Sequence, residues 1–356
     1  MNNSMRYFCY HFKKNIIVLV VMLIFGLLIT GLGIHRQFNF WDHISNEDVI
    51  RHIFHLSVLP SCMAWMCAVL APLEFAGFTN KRNIDTWFAF PLERWKLALI
   101  HMTNGLVYML IVYSASAVCG FIVLNKYRIE CHLDMSDYWK AVVPVFLIGI
   151  CFYGVCLFAF VVANNIFDGL VFMGIYTFIP VFISQVFTYF LRHEKSFSSG
   201  LLEMLFDCVS KPQSDMTREY RRELYGEIER FTFENSHSVI GEWFWIVLGV
   251  SALAGVVFIF MRKKAEKTGG ISDSLFGYRT LIPLLSALYL LFASSVTFSF
   301  WRGIITGLIV FIAYVIFRRG VRLKIPDMIV IGLSFILAMV PFDYIHELKY
   351  IVRFFI

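Results

Sequence analysis

One histidine-rich loop and one charged, aromatic stretch hold the residues whose types and spacing could do chemistry. In the loop, His43 and Asp48 stand in an H-x-x-x-x-D spacing, with Asp42, Glu47, His52 and His55 close by. A histidine oriented by a carboxylate can act as general base toward a hydroxyl, which is the chemistry of acyl transfer. A chain of 356 residues with ten histidines supplies such a pair by chance about a third of the time, so the spacing alone has little weight. His43, His52 and His55 could also begin a metal site, but no second ligand group completes it, and no metal is expected. No G-x-x-x-x-G-K-[ST] loop occurs, nor any Gly-Lys dipeptide, so the phosphate cradle of a nucleotide site is missing from this sequence.

The second stretch, GFTNKRNIDTWFAFPLERWK at residues 77–96, suits docking better than catalysis. Asn83 or Asp85 can cap a short helix, Pro91 interrupts it, and Glu93, Arg94 and Lys96 open the next one. Trp87, Phe88 and Phe90 stand beside charge. Aromatic side chains ringed by polar ones dominate interface energies, so a partner's groove could grip this segment. The plainer reading is an interfacial helix with its aromatics among lipid headgroups and its cations holding orientation.

The elements that must position these stretches are membrane helices. The chain is 59% hydrophobic and 16% charged, with a mean hydropathy of +0.70. Several apolar runs reach the roughly 20 residues a helix needs to cross a hydrocarbon core, and the alternation of a membrane β-barrel is absent. The expected fold class is an all-α polytopic membrane protein. Spans are expected at 15–33, 53–73, 98–124, 141–163, 169–190 and 243–261, then three shorter ones at 281–299, 300–317 and 327–342, with eight spans as the alternative to nine. Residues 1–14, with Met5, Phe8 and Phe12 at helical spacing, read as an interfacial amphipathic helix, and the apolar run after Lys13 and Lys14 as a retained signal anchor. The segment 262–280 reads as a basic cytoplasmic linker.

Charge sets the expected orientation. With the N-terminus inside, sixteen Lys and Arg fall in inside segments and eight in the short outside ones. The long 192–242 insert carries seven, but long loops translocate largely regardless of charge. The net charge of +6 is therefore assigned to lipid headgroups and orientation, and nucleic acid is not expected.

In this setting KRNIDTWFAFPLERWKLALIH resembles the K-R-x-x-D-x-x-x-x-x-P-[IL]-x-R-x-[KR]-L segment of bacterial ABC-2 type transporter permeases, the membrane subunits of ATP-binding cassette exporters. The start YFCYHFKKN resembles that family's interfacial helix. The 192–242 insert falls where the family carries extracellular helices, and RKKAEKTGGISDSLFGYR resembles a basic tail of Gram-positive members. The resemblance covers about residues 1–280. It implies a six-span bundle with two or three extra C-terminal spans and a coupling helix docked on a separate ATPase. Lys81, Arg82, Asp85, Pro91, Leu92 and Arg94 match the pattern, and Trp87 is the aromatic anchor among them. It further implies two copies of an ATPase carrying ATP and Mg, pairing with itself or a related permease, no cofactor in this chain, and a bacterial plasma membrane.

Other readings stay open beside it. Within the insert, Tyr220, Leu224, Ile228 and Phe231 share one face of an amphipathic helix, expected outside. Cys131 and Cys208 fall in outside segments, where a disulfide is open to them. An ion-coupled secondary transporter would need ionisable residues deep in its spans. Glu74, His101 and Asp168 all fall at span ends, where they are expected as solvated helix termini. A membrane acyltransferase using His43 and Asp48 is the remaining alternative.

Overall fold

The chain folds as helices, with no strand among the residues that the computed structural model describes: 3–39, 56–80, 92–127, 135–191, 200–216, 239–263, 266, 268–272, 274–292, 299–320 and 323–339. In chain order they are α1 (Asn3–Lys14), α2 (Ile16–Asn39), α3 (Val58–Phe75), α4 (Arg94–Tyr127), α5 (Tyr138–Val162), α6 (Ile166–Leu191), α7 (Leu201–Asp207), α8 (Ser210–Met216), α9 (Val239–Arg262), α10 (Tyr278–Phe292), α11 (Ser299–Arg318) and α12 (Ile325–Met339). Five of them, α2, α3, α4, α5 and α9, contain helices long and apolar enough to cross a membrane. The apolar parts of α6, α11 and α12 are shorter, at Ile166–Val181, Gly303–Arg318 and Ile325–Ile336.

Local chemistry explains where these helices stop. Pro72 lies in the last turn of α3, and the chain tightens after it into a 3-10 turn, Ala76–Thr79. Thr79 Oγ1 donates to the Ala76 carbonyl at 2.9 Å, pairing an acceptor the ending helix would leave free. The 34 residues of α4 give a rod of about 51 Å, well beyond a hydrocarbon core of about 30 Å, so it tilts or projects from the bilayer.

Helix α5 is the central post, packed against α3, α6, α7 and α9. Around it the elements segregate by end. At one end Arg94 Nη1 donates to the Lys263 carbonyl at 2.8 Å, Asn164 Nδ2 to the Ile271 carbonyl at 2.9 Å, and Arg319 Nη1 to the Gly269 carbonyl at 3.2 Å. With Tyr7 Oη also 3.1 Å from His101 Nε2, the described parts of the four basic segments expected inside are gathered at one end. At the other end the first described part of the insert, residues 200–216, packs back on the bundle. Leu201, Met204 and Leu205 of α7 are buried there, and the Leu56 amide donates to Gln213 Oε1 at 3.1 Å. Gly200 makes that return possible: its φ is +116°, and a Cβ would stand 2.4 Å from Pro180 Cβ.

Helix α1 also departs from expectation. Met5 was expected on its apolar face but is exposed, whereas Tyr7 and His11, one turn apart, face inward and are buried. Phe8 and Phe12 pack partly against the core beside them. Polar partners inside the bundle, rather than apolarity, decide which side of α1 is turned in.

Candidate functional site

At the basic end, α1, α3 and α4 converge on a closed polar cluster. Position i to i+4 on α1 places Tyr7 and His11 on one face, Glu74 comes from the last turn of α3, and His101 and Asn104 lie one turn apart near the start of α4. Glu74 Oε2 lies 2.9 Å from His101 Nδ1 and 3.8 Å from His11 Nδ1. Tyr7 Oη lies 3.1 Å from His101 Nε2, and Asn104 Nδ2 donates to Glu74 Oε1 at 2.7 Å and faces His11 Nδ1 at 3.1 Å. With Glu74 ionised, the carboxylate only accepts, so His101 donates through Nδ1 and Tyr7 donates to Nε2.

None of this is solvated. Glu74, His101 and Asn104 are at most 2% exposed and His11 is 5% exposed. The expectation that Glu74, His101 and Asp168 are solvated helix ends is therefore corrected: neighbouring helices cover all three. Burial pushes the His11 imidazole down to about 4; the neighbouring His101 and, less, Lys14 act in the same sense, and Glu74 opposes them. Burial, with Glu74 and Tyr10 adding to it, pushes the Tyr7 phenol up. Two imidazoles and a carboxyl group in a dry pocket can relay a proton or ligate a cation.

The pocket is walled by aromatics and left partly unsatisfied. His11 and His101 meet edge-on with ring centroids 4.3 Å apart, and Phe78 is wedged edge-on between His101 at 5.0 Å and Phe260 at 4.8 Å. Gly105 lets Tyr153 approach: a Cβ there would lie 1.9 Å from the Tyr153 hydroxyl and 3.5 Å from Glu74 Cγ. The Tyr153 hydroxyl and Asn104 Oδ1 are both buried without a hydrogen-bond partner.

A second polar knot ties the turn between α5 and α6 to the segment after α9. Asn165 caps α6: its Oδ1 accepts from the Asp168 amide at 2.8 Å and its Nδ2 donates to Asp168 Oδ2 at 2.6 Å. Asp168 also accepts from Ser272 Oγ at 2.5 Å and Tyr278 Oη at 3.2 Å, with Arg319 3.9 Å away. Lys263 is buried, and its Nζ donates to the Val161 and Ala163 carbonyls at 3.1 and 2.6 Å, which the end of α5 leaves unpaired. Burial lowers its ammonium to about 8. The segment expected as a basic linker is thus partly folded into the bundle.

Of the residues singled out from sequence, Leu92 packs partly against the core, and the exposed Arg94 reaches the Lys263 carbonyl. Lys81, Arg82, Asp85, Trp87 and Pro91 lie outside the described residues, as do Tyr220, Leu224, Ile228 and Phe231, and His43, Asp48, His52, His55 and Cys131. The described root of the 81–91 stretch is Phe78 on one side and Leu92 to Arg94 on the other. Sequence reasoning passed over Tyr7, His11 and Asn104. The available signal was Tyr7 and His11 one turn apart beside Phe8 and Phe12, but nothing local pointed to Glu74 as their partner.

A separate apolar cavity of about 460 Å³ opens between α5, α6, α9 and α10, lined by Phe152, Tyr176, Ile183, Trp245, Leu248 and Phe276 among others. Compared with family profiles, with curated proteins and with solved structures, the chain matches none, so the functional reading rests on its own residues.

Proposed function

We propose that the chain is the membrane-spanning permease subunit of an ATP-binding cassette transporter, exporting a small molecule, peptide or lipid-like cargo on energy from a separate ATPase. The observation that carries this reading is how the 81–91 stretch is rooted. On its entry side, Phe78 is wedged between rings of α4 and α9, and on its exit side Arg94 holds the backbone just past α9. Force applied to that stretch reaches the ends of α3, α4 and α9 together, which is what a lever between an ATPase and a helical bundle requires. Two ATPase copies would bind ATP and Mg, and the permease would pair with itself or a related chain, its N-terminus cytoplasmic in a bacterial plasma membrane. The apolar cavity is of a size that holds small ligands and favours a greasy cargo.

The test is co-expression with the ATPase while Asp85 and Arg94 are replaced together. Membrane insertion should persist and ATP hydrolysis should uncouple from export. If ATPase capture and export both survive the double change, the lever is elsewhere.

One observation favours a second reading, an ion-coupled secondary transporter. The buried Glu74 cluster supplies the ionisable groups that such a carrier needs and that looked absent from the sequence. Purified chain reconstituted alone distinguishes the two: cargo movement on an ion gradient without any ATPase would replace the first reading with the second.

A further inference from the structure

The donor set of the basic-end cluster is that of a borderline metal. Two imidazoles and one carboxylate suit zinc-class first-row ions, whereas calcium and magnesium take oxygen ligands in larger number. The spacing is close to what such an ion needs. Metal–nitrogen and metal–oxygen bonds of about 2.0–2.1 Å at tetrahedral angles put ligand atoms about 3.4 Å apart. One ligand atom each from His11, Glu74 and His101 lie within 4.8 Å of one another, with the carboxylate oxygen 2.9 and 3.8 Å from the two imidazoles. Closing that triangle round an ion takes side-chain adjustments of under about an ångström.

Two further observations stand beside this triangle. Asn104 is fully buried, and its Oδ1 has no partner although its Nδ2 is pinned to Glu74 Oε1, while Glu74 Oε2 is held by His101 Nδ1. The Tyr153 hydroxyl, also fully buried and close to the Glu74 side chain, is likewise unpaired. Each orphan costs about 1–3 kcal/mol in a dry pocket, a cost that a bound ion with its own water would relieve.

We propose that His11, Glu74 and His101 bind one zinc-class divalent cation, with Asn104 Oδ1 or a water as fourth ligand, stapling α1 to the roots of the 81–91 stretch. On binding, Glu74 Oε2 and His101 Nδ1 turn from each other to the metal. The proton of His101 then resides on Nε2, where Tyr7 Oη switches from donor to acceptor and holds the ring in place. Since α1 contributes one ligand, metal occupancy governs whether α1 stays seated. This goes beyond the transport reading and stands or falls separately from it.

The experiment uses the full chain purified in detergent through a histidine-free tag, stripped with a chelator and titrated with Zn²⁺ or Co²⁺. Elemental analysis should find one metal per chain, and Co²⁺ should show the visible absorption of a tetrahedral nitrogen and oxygen site. His11→Ala should abolish stoichiometric binding, as should His101→Ala and Glu74→Gln. Tyr7→Phe should weaken binding by about tenfold, while His35→Ala should leave it unchanged. Zn²⁺ should raise the thermal midpoint of the wild type and not that of His11→Ala. Substoichiometric metal on the wild type, an octahedral Co²⁺ spectrum, or equal binding by His11→Ala would overturn the proposal.

Discussion

Glu74 Oε2 and His101 Nδ1 stand 2.9 Å apart, although 27 residues separate them and the 81–91 stretch runs between. The pair closes the base of that stretch, so whatever moves the end of α3 moves the start of α4. It is also the carboxylate on which His11 and Asn104 converge.

Removing that carboxylate should be severe. In metal-free buffer, Glu74→Ala leaves His101 Nδ1 and Asn104 Nδ2 facing an apolar void, a loss of about 3 kcal/mol. Glu74→Gln, which keeps an acceptor and the volume, should lose less than half of that. Thermal unfolding in detergent, followed by a thiol-independent reporter, measures both.

Lys263 should impose a pH dependence on stability. Its ammonium falls to about 8 in the fold against an ordinary value near 10.5, so between those pH values the unfolded chain binds more protons and stability rises with pH. Below about 8 the desolvation penalty, of the order of 3 kcal/mol, is present in full. The thermal midpoint of the wild type should therefore climb between pH 8 and 10 relative to Lys263→Met, which lacks the titration. A constant difference between the two curves would show that the amine is not desolvated in the fold.

Gly105 and Tyr153 should be coupled. Gly105→Ala drives a methyl into the Tyr153 hydroxyl and should destabilise by about 2 kcal/mol. Tyr153→Phe removes a buried hydroxyl that has no partner and should be neutral or mildly stabilising. In the double variant the ring carbon that carried the hydroxyl still stands 2.9 Å from the new methyl, so only part of the strain is relieved. Strict additivity of the two changes would contradict the packing described.

Asp168→Ala should loosen the C-terminal helices from the core. The change takes the acceptor from the Ser272 and Tyr278 hydroxyls and strips Asn165 of its reciprocal cap partner. Limited proteolysis between 262 and 280 should speed up severalfold, while cleavage of the α1 to α5 region stays as in the wild type.

Orientation has its own check. A maleimide reagent that cannot cross the bilayer should label Trp87→Cys, in a background whose eight native cysteines are replaced by serine or alanine, only after the cytosolic face is opened. Labelling from outside on intact cells would invert the topology and end the coupling proposal.

What was legible in the sequence was what short-range chemistry decides. An apolar run of adequate length must be helical in a membrane because its own backbone is the only partner for its amides, so α2, α3, α4, α5 and α9 lie close to their expected positions. Pro72 at the end of α3 and the Asn165 cap of α6 are equally local. The cluster was not legible, because Tyr7 and His101 are 94 residues apart and only the packing of α1 on α4 brings them together. Sequence places Glu74, His101 and Asp168 at helix ends, and a helix end is solvated or sealed according to what lies across from it. The tertiary structure laid α1, Phe78 and the segment after α9 across those ends, and in a dry pocket each polar group then had to find another polar group.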